Sequence, residues 1–200
     1  KYIDNVQITL SESIGVSGRW DFYNNAGAMR DMVQNHLLQL VCLVAMEPPT
    51  HLEPNAVRNE KLKVLSSLRP MDEKMIRDNV VLGQYIAGAV GGEAVVGYMD
   101  EEGATSRSDT ETFVAIRADL DNWRWAGVPF YLRTGKRLQS RYSEIVIEFK
   151  QVPHSIFMEQ GVMAPPNRLT IRLQPDEMIR LQLMNKVSGL DVQSPLRNVA

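Results

Sequence analysis

Cysteine is almost missing from this chain of 200 residues: Cys42 is the only one. A single thiol excludes an internal disulfide and any cysteine-based metal cluster, and it fits a reducing, cytoplasmic setting. An excess of charge of one sign is missing too. A formal net charge of −2 argues against a surface built for nucleic acid or for an anionic membrane. Long apolar runs are also lacking. The longest, Leu40 to Met46, is far short of the roughly 20 residues that span a bilayer. His51 and His154 have no partners at ligand spacing, so no metal site is expected. No G-x-G-x-x-G joins a strand to a helix, and there is no Walker loop. Gly88-Ala-Val-Gly91-Gly92 comes nearest, but its spacing is wrong and no helix follows, which makes it a turn. If the protein uses a dinucleotide, the main binding fold lies elsewhere.

What is present is ordinary for a globular protein: 44% hydrophobic and 23% charged residues, enough for one sizeable core. The chain starts at Lys1 without an initiator Met or leader, and Asp191 to Ala200 trails off without a capped element. The expectation is one partial domain, residues 1–200, cut from a longer protein at both ends. Val6, Ile8 and Leu10 alternate with polar residues and predict a strand over 5–12. Gly15, Gly18 and Asn24-Asn25 predict a loop. From Ala26 to Met46 apolar residues recur at helical spacing until Pro48-Pro49 ends the pattern. Its second half is apolar on nearly every side and should be buried, with the first half facing a cleft. A second helix is predicted over 54–68, with Pro54 in its first turn. Residues 70–110 read as loops around short elements. Strands follow over 112–120, 130–133, 144–150, 168–173 and 178–184. Helices grouped ahead of consecutive strands define an α+β class, helices packed on a largely antiparallel sheet, without a Rossmann domain.

Two segments carry chemistry. On the first helix, Asp31, Asn35, His36 and Gln39 cover an arc of roughly 140° at α-helical spacing. Asp31 and His36 are about 7.5 Å apart along the axis, suited to gripping one small polar ligand at two points. A histidine there can serve as a general base near neutral pH. A solvated helix face with a satisfied histidine is the alternative. In the second segment Arg133, Lys136, Arg137 and Arg141 place four cations within nine residues beside Gly135. That density suits a phosphate dianion, or else a charged strand end that deters edge pairing. Trp123 and Trp125 read as core or interface anchors. Glu12 ends the first strand, where side chains are commonly delivered to a site.

Taken together, Asp31-Met-Val-Gln-Asn-His36-Leu-Leu-Gln, Ala45-Met-Glu-Pro-Pro49, Pro129-Phe-Tyr-Leu-Arg-Thr-Gly-Lys136 and Ile171-Arg-Leu-Gln174-Pro-Asp-Glu177 resemble the glucose-6-phosphate dehydrogenase family. The likeness runs from about residue 2 to about residue 190 and is greatest to bacterial members. It implies NADP-dependent oxidation of glucose 6-phosphate to 6-phosphogluconolactone, the entry to the pentose phosphate route. By the same resemblance His36 matches the general base, and Glu12, Asp31 and Lys136 match sugar-binding positions, with Arg141 and Gln174 looser matches. It further implies a homodimer or homotetramer in the cytoplasm, and a separate coenzyme domain that also orients the histidine. The sheet used for subunit contacts is expected to stop short after Leu190. Some members hold a second, structural NADP. Arg133 and Arg172 match its basic positions, whereas Tyr142 and Val146 stand where those members carry cations. The rival reading is a non-catalytic domain for sugar-phosphate binding or assembly, and an upstream coenzyme domain would decide against it.

Overall fold

A computed structural model describes residues 2–105, 107–151, 165–186 and 196–199. Strand β1 (Ile3–Ser11) buries Val6, Ile8 and Leu10 on its core face, but Asn5, Thr9 and Ser11 on the other face are buried as well, so the strand is covered on both faces rather than half-buried. Helix α1 (Trp20–Ala28) follows, then a π-helical stretch, Met29–Leu37, then α2 (Leu38–Ala45). One continuous α-helix from Ala26 was expected, and the loop assigned to Asn24-Asn25 is part of α1. Trp20 and Tyr23 anchor α1 by burial, and Asn25 donates its amide to the Asp21 carbonyl one turn back. Gly27 then kinks the chain (φ 66°, ψ 171°). Beyond the kink, the Ala28 and Met29 amides donate to the backbone carbonyl and side chain of Glu111, at 3.0 and 2.8 Å. The helix therefore restarts on a new set of bonds. Its turns are wide, as the Leu38 amide bonding five residues back to the Val33 carbonyl shows.

Val41, Cys42 and Ala45 of α2 are buried, as expected, but Leu43 is exposed. Helix α3 (Pro54–Ser66) has Pro54 in its first turn, and α4 (Glu73–Asn79) is capped by Asp72, whose carboxylate accepts the Met75 amide at 2.8 Å. The 70–110 region also contributes β2 (Val80–Gly83) and a hairpin, β3 (Gly88–Val90) and β4 (Glu93–Val95), turning at Gly91-Gly92.

The remaining strands are β5 (Phe113–Ala118), β6 (Phe130–Gly135), β7 (Tyr142–Phe149), β8 (Arg168–Gln174), β9 (Met178–Lys186) and β10 (Leu196–Val199). Their order in the main sheet is β10-β9-β8-β7-β1-β6-β5-β2. The domain is α+β. Two details correct the sequence reading. Leu196–Val199 is not a trailing end but a strand paired with β9; residues 187–195, including Leu190, lie outside those described. And β1 pairs parallel with β6, although it is antiparallel to β7. The helical block lies between β1 and β6 in sequence, so the chain can cross back and lay β6 beside β1 in the same direction.

The main core joins β1, β6, Val114 and Ile145 to Val33, Leu37 and Val41 of the helical layer. Trp125 belongs to it, 5% exposed, edge-on to Phe130 at 5.1 Å and donating Nε1–H to the Ala45 carbonyl at 3.0 Å. Trp123 is 98% exposed and anchors no core. Trp125→Ala is therefore expected to destabilise the domain by about 3–5 kcal/mol, whereas Trp123→Ala stays within about 0.5 kcal/mol of wild type. Equilibrium denaturation checks the pair, and equal midpoints would contradict it. A second core gathers Val16, Trp20, Tyr23 and Tyr98, with Tyr85 against it. It lies beneath the ends of β1 and β6.

Candidate functional site

Because β1 and β6 run the same way, their last residues emerge side by side. Ser11 faces Gly135 in the register, so Glu12 and Lys136 leave the sheet together. The Lys136 ammonium, 3% exposed, donates to Glu12 Oε2 at 2.7 Å and lies 5.1 Å from the centre of the Tyr23 ring. The Tyr23 hydroxyl is buried and, among the described residues, has no hydrogen-bond partner. Burial first, then the negative fields of Asp31, Glu111 and Glu12, push its pKa far above the ordinary tyrosine value. This phenol stays neutral and presents an uncharged ring to the ammonium.

Glu12 also opens onto a cleft of about 440 Å³ between the π stretch and the sheet, a size suited to a small-molecule ligand. His36, Asn35 and Gln39 line its helical wall; Arg141 and Gln174 line the opposite side. His36 is exposed, and among the described residues it has no hydrogen-bond partner. The buried neighbours Val33 and Leu37 hold its backbone against the core. Arg141 forms no ion pair among the described residues.

The structure thus brings Glu12, His36, Arg141 and Gln174 around one cleft, with Lys136 joined to it through Glu12. Asp31 is not among the lining residues. A shared face alone does not bring Asp31 to the cleft, because it stands a full turn before Asn35 and His36 along the helix axis. Asp31 acts instead on Tyr23 through its charge.

The basic cluster divides four ways. Arg133 lies on the other face of the sheet and donates to the Tyr142 hydroxyl at 2.8 Å. Lys136 pairs with Glu12, and Arg137 pairs with Glu101 at 2.9 Å. Only Arg141 lines the cleft. Strand alternation explains Arg133, and a left-handed backbone at Arg137 (φ 55°) turns the chain away. Arg172 pairs with Glu144 at 3.2 Å, on the same face as Arg133. Both arginines matched to a structural dinucleotide are thus engaged within the sheet. His51 is exposed, and His154 lies outside the described residues.

Sequence reasoning missed Ser11, Ser143 and Leu173 in the cleft wall, and Tyr23 beneath Lys136. Strand pairing across β1, β7 and β8 brings Ser11, Ser143 and Leu173 together, and the packing of α1 brings Tyr23 under Lys136, so no local signal could have found them. Met32 lies in the half of the helix expected to face a cleft, whereas Leu40, in the half expected to be buried, also lines it.

Helices packed on a mainly antiparallel sheet, with a cleft of mixed polar and apolar lining at the strand ends, define an α+β domain with room for a small molecule. The family model described as glucose-6-phosphate dehydrogenase, C-terminal domain, matches residues 1–199. The chain belongs to the glucose-6-phosphate dehydrogenase family. Glucose-6-phosphate 1-dehydrogenase of Zymomonas mobilis is 58% identical over 191 residues, which are 96% of this chain and 39% of that protein. The Bacillus subtilis protein of the same name is 48% identical over 189 residues, 94% of this chain and 39% of that protein. The crystal structure of glucose-6-phosphate 1-dehydrogenase from Mycobacterium avium matches with a TM-score of 0.83 at 37% identity, covering 99% of this chain and 40% of that one. A glucose-6-phosphate dehydrogenase in complex with its substrate glucose-6-phosphate matches with a TM-score of 0.84 at 37% identity, covering 99% and 38%. The chain spans about two fifths of the length of the curated relatives it matches.

Proposed function

We propose that this chain is the sugar-binding, base-carrying part of a glucose-6-phosphate dehydrogenase that oxidises glucose 6-phosphate to 6-phosphogluconolactone. The observation that carries the reading is the meeting of His36 with Glu12, Arg141 and Gln174 around one cleft, in a chain of this family. His36 takes the proton of the anomeric hydroxyl. The Glu12 carboxylate accepts hydrogen bonds from sugar hydroxyls, and the Gln174 amide can accept or donate them. Arg141 supplies a forked donor for the phosphate, and Lys136 a point charge beside Glu12. Asp31, whose charge reaches Tyr23 beneath Lys136, is assigned a supporting part in binding the sugar.

The hydride acceptor is NADP, and these residues do not fit it. Among the described residues no strand leads through a Gly-rich turn into a helix, and Gly91-Gly92 closes a two-stranded hairpin. The catalytic cofactor is assigned to the rest of the protein, and Arg133 and Arg172 are not assigned a second one. A cytoplasmic homodimer or homotetramer completes the reading.

Purified full-length protein should form NADPH from glucose 6-phosphate, and the isolated 1–200 domain should form none. Appreciable NADPH from the isolated domain would contradict the division of labour. No turnover by the full-length protein would favour the sugar-phosphate-binding or assembly role.

A further inference from the structure

The residue after Lys136 has an unusual conformation for its type. Arg137 adopts a left-handed backbone (φ 55°), which glycine or asparagine takes far more readily. Its neighbours are tied to the loop after β1 by backbone bonds. The Glu12 amide donates to the Gly135 carbonyl at 3.0 Å, the Arg137 amide to Ile14 at 3.1 Å, and the Leu138 amide to Glu12 at 2.9 Å. The loop carrying Glu12 and the turn carrying Lys136 are zipped together.

A second ion pair runs across the same junction. Arg137 Nη2 donates to Glu101 Oε1 at 2.9 Å, and the Glu101 side chain is 7% exposed. The Tyr85 hydroxyl donates to the same oxygen at 2.8 Å and accepts the Val16 amide at 3.4 Å. The Arg137 guanidinium lies 5.9 Å from the centre of the Tyr85 ring. Burial, and next the bond to Glu101, push the Tyr85 pKa well up, so its proton stays in place. Gly15 fits against both partners: a Cβ there would overlap the Glu101 carboxylate and lie 2.8 Å from Arg137 Nε. Tyr85 packs edge-on to Tyr98 at 5.7 Å, which fastens the network to the aromatic core.

We infer that Glu101, Arg137 and Tyr85 form a clamp of positioning residues that sets where Lys136 and Glu12 meet the sugar phosphate. The inference deepens the function proposed above and rests on it. The clamp's side chains meet the two loops that bear the Glu12–Lys136 pair: Glu101 reaches Gly15 on one side and Arg137 on the other. A turn needed only for its shape would carry glycine at the left-handed position. An arginine there is held by its side chain, and that side chain fixes the backbone next to Lys136. Without it the turn can relax, and Lys136 can leave Glu12 for solvent.

Arg137→Gly separates the two roles, since glycine adopts the turn freely and deletes the clamp. In the full-length protein the KM for glucose 6-phosphate is expected to rise about tenfold, a modest share of what a small misplacement at a site can do. The KM for NADP should stay near wild type, while the melting temperature should fall, because the buried Glu101 carboxylate loses its cation. Glu101→Gln should act in the same direction. In a Lys136→Ala background Arg137→Gly should add nothing, because the clamp acts through Lys136. Acetic anhydride labelling of Lys136, read by mass spectrometry, should speed up in Arg137→Gly. A wild-type KM with wild-type labelling, or a full additive effect in the Lys136→Ala background, would overturn the clamp. If the unmutated protein forms no NADPH, the functional reading fails, and the labelling still decides the clamp because it needs no turnover.

Discussion

Alanine in place of His36 is expected to lower kcat for glucose 6-phosphate by about 10²–10⁴-fold in the full-length dehydrogenase, the range spanned by a positioned acid–base group. KM should move far less, because Glu12, Lys136, Arg141 and Gln174 remain to hold the sugar phosphate. His36 faces the cleft from a stretch whose neighbours Val33 and Leu37 are 5% and 0% exposed, so truncating its exposed ring leaves the packing intact. His36→Asn keeps a polar side chain but removes the base, and should fall as far. Steady-state kinetics alone could mistake slow product release for slow chemistry, so single-turnover rates should be measured as well. A kcat within a few-fold of wild type would remove His36 from the proton transfer.

Gly27→Ala is expected to be the most damaging small change in the scaffold. At φ 66° and ψ 171° Gly27 occupies a region nearly closed to residues with a Cβ, and forcing one there costs about 1–3 kcal/mol. The space is also taken, because that Cβ would overlap the carboxylate of Glu111. Glu111 receives the first amides beyond the kink, from Ala28 and Met29. Pushing it away loosens the start of the segment that bears Asp31 and His36. Stability should fall by the strain, and kcat by up to about 10²-fold if the base shifts by an ångström. Thermal melts and kinetics on the same preparation test this. An unchanged melting temperature would show that the kink can be rebuilt around a methyl group.

Much of the sheet was legible because its strands alternate cleanly. Val6, Ile8 and Leu10 mark β1, and Leu169 and Ile171 mark β8, within a residue or two of their observed bounds. The helix after the first loop was legible as helical but not in its turns. Periodicity does not separate an α from a π stretch over nine residues, and nothing local at Gly27 foretells that Glu111, from a distant segment, caps the restart. His36, Glu12 and Lys136 were singled out as candidates through motif and resemblance. Their meeting was not, because it depends on β1 pairing parallel with β6. The two tryptophans show the same limit: Trp123 and Trp125 look alike in sequence, and only the Ala45 carbonyl and Phe130 ring decide which is buried. Glu101 gave no signal in its acidic loop.

The parallel pairing also bears on how the chain is made. Strand β1 lies between β6 and β7, and both are synthesised long after it. The Glu12–Lys136 contact spans 124 residues, so it closes one of the longest loops in the domain. Until the chain reaches Phe130, the edges of β1 have no neighbour in the sheet, and its Val6, Ile8 and Leu10 have only the emerging helices to cover them. A strand waiting in that state is open to pairing with another molecule. The arrangement that brings the two halves of the site together thus makes the earliest strand of the domain the most exposed to aggregation during synthesis.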